Sequence, residues 1–202
     1  MGNKRALILY SRGLDSTTVL HHALSHDYDC IALTIDYNQR HSYEVKSSQE
    51  YLRQENIEGL IFKIDLSQIG GSALTDNELK VPMKHQSGIP ITYVPARNTI
   101  FLSIASAYAE KLSISEIFIG VNQIDYSGYP DCRPEFIDSI KSTINLGTKA
   151  GVDGDSISIN APLMNMSKRQ LKILVKKLEK INYDRYDNFS KEELIDLLDC
   201  PS

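Results

Sequence analysis

Short apolar runs rich in β-branched residues alternate along this chain with stretches whose apolar side chains recur at helical spacing. The runs that predict buried strands cover residues 6–10, 30–37, 60–64, 116–121 and 156–160. The stretches that predict helices cover residues 15–25, 43–54, 99–112 and 134–145. Strands that alternate with helices form parallel sheets, because each helix returns the chain to the edge where the next strand begins. We therefore predict a doubly wound α/β fold around a parallel five-stranded sheet.

Two further helices are predicted towards the C-terminal end. Ser167 with Gln170 and Ser190 with Glu193 each have the spacing of a capping box, in which the two side chains bond to each other's backbone N–H groups. We expect residues 166–202 to form a helical segment that packs on the preceding domain.

Composition and charge limit the class of protein. A chain of 202 residues with 42% hydrophobic content can bury one substantial core, so residues 1–165 are predicted to form one α/β domain. The net charge of -4 favours a free small-molecule substrate over a nucleic acid, although a local basic patch stays open. The first apolar run is too short for a signal peptide or a membrane span, so we expect a cytoplasmic protein with no membrane partner.

The loop after the first predicted strand has the features of a phosphate site. It reads Ser11-Arg12-Gly13-Leu14-Asp15-Ser16-Thr17, and a predicted helix follows at once. A helix N-terminus presents N–H groups and a positive dipole end, which favour an anion. Ser11, Ser16 and Thr17 add hydroxyl groups, and Gly13 allows close approach. Asp15 is either a magnesium ligand or a helix cap, and an ordinary strand-to-helix turn with a Ser/Asp cap is the alternative for the whole segment.

Longer motifs accompany this loop in a fixed order. They read Asp36-Tyr37-Asn38-Gln39-Arg40-His41, Gly70-Gly71-Ser72-Ala73-Leu74-Thr75-Asp76, Tyr93-Val94-Pro95-Ala96-Arg97-Asn98-Thr99, Gly120-Val121-Asn122, Asp125-Tyr126-Ser127-Gly128-Tyr129-Pro130-Asp131-Cys132-Arg133-Pro134-Glu135-Phe136 and Asn145-Leu146-Gly147-Thr148-Lys149-Ala150-Gly151. The loop resembles the PP-loop signature Ser-Gly-Gly-X-Asp-Ser of the ATP pyrophosphatases. Together the motifs resemble the 7-cyano-7-deazaguanine synthases of queuosine biosynthesis, from about Lys4 to about Lys172.

The resemblance implies a fold of the adenine nucleotide alpha hydrolase-like (PP-loop) type and a ligase chemistry. ATP would activate the carboxyl group of 7-carboxy-7-deazaguanine as an acyl adenylate, ammonia would displace AMP to give an amide, and a second activation would dehydrate the amide to a nitrile. The implied catalytic residues are Asp15, Ser16, Arg97 and Lys149, with magnesium on Asp15. The implied partners are the deazapurine, ammonia and a second copy of the chain in a homodimer.

The resemblance also implies two sets of binding residues. Those expected around ATP are Ser11, Arg12, Gly13, Leu14, Asp15, Ser16, Thr17, Asp36, Gln39, Arg40 and His41. Those expected around the deazapurine are Tyr93, Asn98, Asn122, Asp125, Tyr126, Tyr129, Asp131 and Arg133. Tyr126 or Tyr129 would stack on the base, and Asp125 or Asp131 would accept hydrogen bonds from its guanidine-like edge. The alternatives are a loop packed by its own tyrosines and a surface role for His41.

Two positions and the C-terminal segment depart from the family pattern. Arg12 replaces the first glycine of the PP-loop, so its side chain either obstructs the phosphates, pairs with them or swings outward. Asn38 stands where glycine is usual, and Asn tolerates left-handed backbone well. The family's C-terminal zinc site needs four cysteines, whereas Cys200 is the only thiol in that segment of this chain, so zinc is not expected.

The departures leave two alternatives to the nitrile-forming enzyme. One is a ligase that adenylates another carboxylate. The other is a catalytically impaired relative that binds nucleotide or deazapurine as a sensor or subunit. Thiolation of tRNA, another activity of PP-loop proteins, is disfavoured because Cys30, Cys132 and Cys200 are widely scattered rather than paired.

Overall fold

The computed structural model describes residues 4–38, 43–72, 74–75, 89–122 and 128–177. Within these residues, five parallel strands form one sheet in the order β3-β2-β1-β4-β5. The strands are β1 (Arg5–Leu9), β2 (Asp29–Asp36), β3 (Glu58–Lys63), β4 (Glu116–Phe118) and β5 (Ser158–Asn160). The predicted doubly wound parallel sheet is confirmed.

Helices connect the strands as the sequence pattern predicts. They are α1 (Leu14–Leu24), α2 (Tyr43–Gln54), α3 (Arg97–Leu112), α4 (Pro134–Gly147), α5 (Lys149–Asp153) and α6 (Lys168–Lys177). The short helix α5 and a 3-10 turn at Pro130–Cys132 were not predicted, because neither is long enough to show a period. Strand β4 is shorter than predicted: Ile119 still donates its N–H to the Asn160 carbonyl at 2.9 Å, but the strand itself ends at Phe118.

Successive residues of β1 belong to two separate cores. Ala6 and Ile8 lie in a buried cluster with Leu20 of α1 and Leu52 of α2, whereas Leu7 and Leu9 lie in a second cluster with side chains of α3 and α4. Strand residues alternate between the two faces of a sheet, so a strand that is apolar on both faces requires helices on both. Each fully buried Leu or Ile contributes about 1.5–3 kcal/mol to this packing.

The order of the strands creates a switch point beside β1. Strand β1 pairs with β2 on one side, and Leu7 and Ile8 pair with Ile117 and Phe118 of β4 on the other. The connections from β1 to β2 and from β3 to β4 run on opposite faces, so the loops at the carboxyl ends of β1 and β4 diverge and leave a crevice. Ligands of open α/β sheets bind in such crevices. The fold therefore places the segment after Leu9 at the expected ligand site.

The described part of the C-terminal segment packs on the face that carries α1. Helix α6 follows Ser167, whose N–H donates to Gln170 Oε1 at 2.9 Å while the Gln170 N–H donates to Ser167 Oγ at 3.4 Å, which confirms the capping box. Leu171 is buried in the cluster of that face. The helix predicted to begin at Ser190 lies outside the described residues. Among the described helices, none has the length and apolar character needed to cross a membrane.

Candidate active site

A cavity of about 450 Å3 opens at the carboxyl edge of the sheet, above β1, β2 and β4. Its size is that of a small-molecule site. The residues that line it come from the loop after β1, the start of α1, the end of β2, the start of α3 and the chain after β4; they include Ser11, Gly13, Leu14, Asp15, Ser16, Thr34, Tyr37, Arg97, Asn98, Phe101, Gly120, Val121, Tyr129 and Cys132. The predicted phosphate loop therefore forms one wall of the cavity.

Side-chain hydrogen bonds shape the loop itself. Ser11 N–H donates to Ser16 Oγ at 3.3 Å, Gly13 N–H donates to Ser11 Oγ at 3.3 Å, and Ser16 Oγ lies 3.1 Å from the Gly13 carbonyl. Gly13 is the N-cap of α1 and makes no side-chain cap bond. The alternative of a Ser/Asp cap is therefore wrong, and the N-terminus of α1 faces the cavity, where it favours an anion. Thr17 is fully buried and does not line the cavity.

Asp15 lies on the cavity wall in a fixed position. Asn122 Nδ2 donates to Asp15 Oδ2 at 2.9 Å, which joins α1 to the chain after β4. A carboxylate held beside a helix N-terminus that favours phosphate would repel the phosphate unless a cation lies between them. Oxygen ligands of this kind suit Mg²⁺, so Asp15 fits the predicted magnesium position.

Gly120 allows the end of β4 to lie against the loop. A Cβ built on Gly120 would be 2.9 Å from Ser16 N, a distance that real Cβ atoms essentially never show, and 3.0 Å from the Asp15 carbonyl carbon. Sequence reasoning quoted Gly120 in a motif but did not assign it a role. A glycine that directly follows an apolar run is the sequence signal for such a close backbone approach.

Arg12 directs its side chain away from the cavity. Its φ of 64° is left-handed, which costs about 1–2 kcal/mol for a residue with a Cβ. Nη1 donates to the Ser47 carbonyl at 2.9 Å, and the guanidinium carbon lies 5.3 Å from the centre of the Tyr51 ring. Arg12 does not line the cavity, although Ser11 and Gly13 on either side of it do. The hypothesis that the Arg12 side chain obstructs the phosphate site is therefore wrong, and its outward orientation is confirmed.

Two tyrosines of the predicted base pocket lie together. Tyr129 lines the cavity, and its OH lies 2.9 Å from Thr92 Oγ1. Tyr93 packs beside it with ring centres 6.3 Å apart, and Tyr93 OH accepts the Ala96 N–H at 3.1 Å, but Tyr93 does not line the cavity. Of the two stacking candidates, Tyr126 lies outside the described residues, so Tyr129 is the one that the structure brings to the cavity.

Asp131 accepts a hydrogen bond from the first turn of α3. Its Oδ2 accepts the Asn98 N–H at 2.9 Å, and Asn98 Nδ2 donates to the Asp131 carbonyl at 3.0 Å and lies 3.3 Å from Cys132 Sγ. Asp131 is 5% exposed and does not line the cavity. The hypothesis that Asp131 receives the base edge gains no support, because this side chain caps a helix instead. Asp125, the other candidate, lies outside the described residues.

The predicted cations separate into two groups. Arg97, at the start of α3, lines the cavity and is the only Lys or Arg among the described residues that do so. Lys149 pairs with Asp153 on α5, where its side chain is 83% exposed, and Arg133 is exposed at the N-cap of α4. The structure brings neither Lys149 nor Arg133 to the cavity.

The second strand contributes less to the cavity than predicted. Asp36 ends β2, accepts the Asn38 N–H at 3.4 Å and does not line the cavity, whereas Thr34 and Tyr37 do. Asn38 has a φ of 61°, in agreement with the expected left-handed backbone. The predicted nucleotide contacts Gln39, Arg40 and His41 lie outside the described residues.

The two cysteines in the described residues lack reactive character. Burial, followed by the negative charge of Asp29, raises the pKa of the Cys30 thiol to about 12. A thiol with this pKa stays protonated at neutral pH, whereas the thiolate is the nucleophilic form. Cys132 is also buried, with its sulfur beside Asn98. Neither cysteine therefore supports sulfur transfer.

Known proteins resemble this chain in sequence and in fold. The sequence model of the family described as queuosine biosynthesis protein QueC matches residues 5–193. The 7-cyano-7-deazaguanine synthase of Cellvibrio japonicus is 51% identical over 172 residues, which cover 85% of this chain and 76% of that protein.

Two solved structures share the fold at low sequence identity. A predicted subunit of tRNA methyltransferase from Methanocaldococcus jannaschii has a TM-score of 0.56 and 16% identity over 86% of this chain and 74% of that one. A 4-thiouridine synthetase in an RNA complex with bound ATP has a TM-score of 0.53 and 17% identity over 89% of this chain and 41% of that one. Similarity at this level indicates the PP-loop fold alone.

Proposed function

Because the chain belongs to the queuosine biosynthesis protein QueC family, we propose that it converts 7-carboxy-7-deazaguanine and ammonia to 7-cyano-7-deazaguanine with ATP. The observation that carries the proposal is the PP-loop, of which Ser11 and the residues from Gly13 to Ser16 line a cavity at the switch point of the sheet. A crevice of this kind, with a helix N-terminus on its wall, suits the phosphates of ATP.

Each activation transfers an adenylyl group to oxygen. A carboxylate oxygen of the substrate attacks the α-phosphorus of ATP, and the bond to pyrophosphate breaks. Ammonia then adds to the acyl carbon, loses a proton and displaces AMP to leave the amide. The oxygen of the amide attacks the α-phosphorus of a second ATP and displaces pyrophosphate, and loss of AMP and of both N–H protons gives the nitrile.

The loop stabilises the departing pyrophosphate. Negative charge grows on the leaving oxygen during adenylation, so N–H and O–H groups already aimed at that position lower the barrier. The N-terminus of α1 and the residues Ser11 and Ser16 line the cavity, which supports this role. Arg97 is the cation that we assign to the phosphates, because it lies on the wall formed by α3.

Asp15 is proposed to hold magnesium. The bond from Asn122 orients one carboxylate oxygen, and the ion that Asp15 binds would neutralise phosphate charge.

The wall formed by Tyr129, Phe101 and Asn98 is proposed to receive the deazapurine. Tyr129 and Phe101 offer ring surfaces for a flat base, and Asn98 offers an amide that is anchored by Asp131. The catalytic role of Lys149, the substrate contact of Arg133 and the homodimer stay predictions from the resemblance.

A product assay tests the proposal. The protein is incubated with ATP, Mg²⁺, an ammonium salt and 7-carboxy-7-deazaguanine, and products are separated by liquid chromatography with mass detection. We expect the nitrile, with pyrophosphate released only when the deazapurine acid is present. Pyrophosphate release without the acid, or ATP binding without any release, would contradict the proposal and would indicate another carboxylate or an impaired relative.

A further inference from the structure

Arg12 links the PP-loop to α2 through a planar side chain. Its Nη1 donates to the Ser47 carbonyl at 2.9 Å and also to the Ser47 hydroxyl, and its guanidinium carbon lies 5.3 Å from the Tyr51 ring centre. Ser47 and Tyr51 are one turn apart on α2, and both are buried. A guanidinium can bond in its plane and stack on a ring at the same time, which a lysine ammonium does less well.

Tyr51 connects the elements on both sides of the loop. Its ring stacks on Tyr10, which directly precedes the loop, with centres 6.3 Å apart and planes 25° apart. Its OH lies 2.6 Å from Nε2 of His21 on α1, the helix that follows the loop. Tyr51 therefore contacts the residue before the loop, Arg12 within the loop and the helix after the loop.

The backbone of Arg12 requires such an anchor. Its φ of 64° lies in the left-handed region, where a Cβ crowds the neighbouring carbonyl. Residues with this conformation keep it only where the surrounding contacts determine it. A glycine at this position would be unstrained, but its backbone would also be free to adopt more conformations.

We propose that Arg12 is a positioning residue that fixes the PP-loop against α2 and so holds Ser11, Gly13 and Ser16 in the arrangement that receives the pyrophosphate end of ATP. Arg12 itself does not bind the phosphates. The inference rests on the proposed function in one respect, namely that ATP is the ligand of the loop. It assigns to Arg12 and Tyr51 a shared effect on ATP affinity.

A double-mutant cycle tests this coupling. Arg12→Ala, Tyr51→Leu and the double variant are titrated with ATP by calorimetry, and inhibition by inorganic pyrophosphate is measured in the product assay. We expect each single change to weaken ATP binding about five- to tenfold and the double change to be no weaker than the more affected single variant, because both remove one contact. Pyrophosphate inhibition should weaken in parallel. Additive effects would overturn the inference, because Arg12 would then act on the phosphates independently of Tyr51.

Control variants separate positioning from folding. Arg53→Ala removes an exposed arginine from the last turn of α2 and should leave ATP affinity unchanged. Tyr51→Phe keeps the aromatic ring, so its ATP affinity should stay within about threefold of that of the unsubstituted protein. Thermal melting checks that each variant folds. If Tyr51→Leu does not fold, Ser47→Ala takes its place in the cycle, because it removes one acceptor of Arg12.

Further outcomes distinguish this inference from the proposed function. An unchanged chain that binds ATP but makes no nitrile would contradict the proposed function and leave the cycle interpretable. An active chain in which Arg12→Gly raises turnover would overturn the inference alone, because Arg12 would then hinder the loop rather than support it.

Discussion

Gly120→Ala is expected to lower kcat/KM for ATP strongly while it lowers the stability of the fold only moderately. The added Cβ would lie 2.9 Å from Ser16 N and 3.0 Å from the Asp15 carbonyl carbon. These are backbone atoms of α1's first turn, so no side chain can rotate away to relieve the contact. Ordinary contact begins near 3.4 Å, so the turn must retreat by about 0.5 Å.

The displacement sets the size of the effect. Catalytic groups must be held to within about 0.5 Å, and a misplacement of about 1 Å can cost about 100-fold. We therefore expect kcat/KM for ATP to fall about 10- to 100-fold. Overpacking of this kind costs about 1–3 kcal/mol, which lowers the Tm of a chain of this size by about 2–12 °C.

The assay measures pyrophosphate release at varied ATP concentration, together with thermal melting. Gly147→Ala is the matched control, because a Cβ on Gly147 meets no atom within 4 Å and its φ is not left-handed. That variant should keep its activity. The reasoning would be refuted if Gly120→Ala retained ATP affinity and turnover within about twofold while its Tm fell as expected.

Three other predictions concern Asp15, Asp131 and Cys30. Asp15→Asn should lower kcat/KM about 100-fold, with part of the loss recovered at high Mg²⁺, because a neutral amide binds the ion less well; an unchanged dependence of the rate on Mg²⁺ would refute the assignment. Asp131→Ala removes the acceptor of the Asn98 N–H and should destabilise the fold by about 1–3 kcal/mol in denaturant unfolding, whereas a stability equal to that of the unchanged chain would show that the cap contributes nothing. Burial raises the pKa of Cys30 from 9.0 to about 12, so the unfolded thiol loses its proton first, and the part of the stability that depends on Cys30 should be present below pH 9 and decline between pH 9 and 12. Cys30→Ala should flatten that decline in unfolding measurements, and an identical pH profile for the two proteins would contradict it.

The secondary structure could be predicted well wherever the local pattern determines it. The predicted helix over residues 43–54 coincides with α2 (Tyr43–Gln54), because its apolar positions repeat at helical spacing. Strand β4 (Glu116–Phe118) is shorter than its apolar run, since pairing with β1 and β5 decides where a strand ends and apolar residues also line the cavity beyond it.

The local pattern predicted the loop of the active site, and the motifs of the resemblance predicted Arg97, Asn98 and Tyr129, which also line the cavity. A strand, a tight turn and a helix within a few residues indicate a candidate phosphate site, and the motifs farther along the chain identify that site as a PP-loop. Thr34 and Phe101 line the same cavity. The order of the strands brings them there, so no local sequence pattern predicts their position. Asp131 was assigned to the base because its helix partner Asn98 is 33 residues away in sequence.

Arg12 illustrates the limit of a motif. The sequence shows a cation inside a phosphate loop, and three orientations of its side chain were compatible with that pattern. The contacts with Ser47 and Tyr51 decide among them, and these residues lie on a helix that is separate from the loop in sequence. The effect of a substitution inside a sequence motif therefore depends on the direction in which the new side chain points.

An oxygen-transfer experiment tests the central claim, adenylation of the substrate carboxylate, most directly. 7-Carboxy-7-deazaguanine labelled with ¹⁸O in its carboxyl group is converted with unlabelled ATP and ammonia, and the AMP is analysed by mass spectrometry. Because the carboxylate oxygen that attacks phosphorus leaves with AMP, we expect ¹⁸O in the phosphate of AMP and none in pyrophosphate. Unlabelled AMP, or the label in pyrophosphate or free phosphate, would contradict the adenylate route.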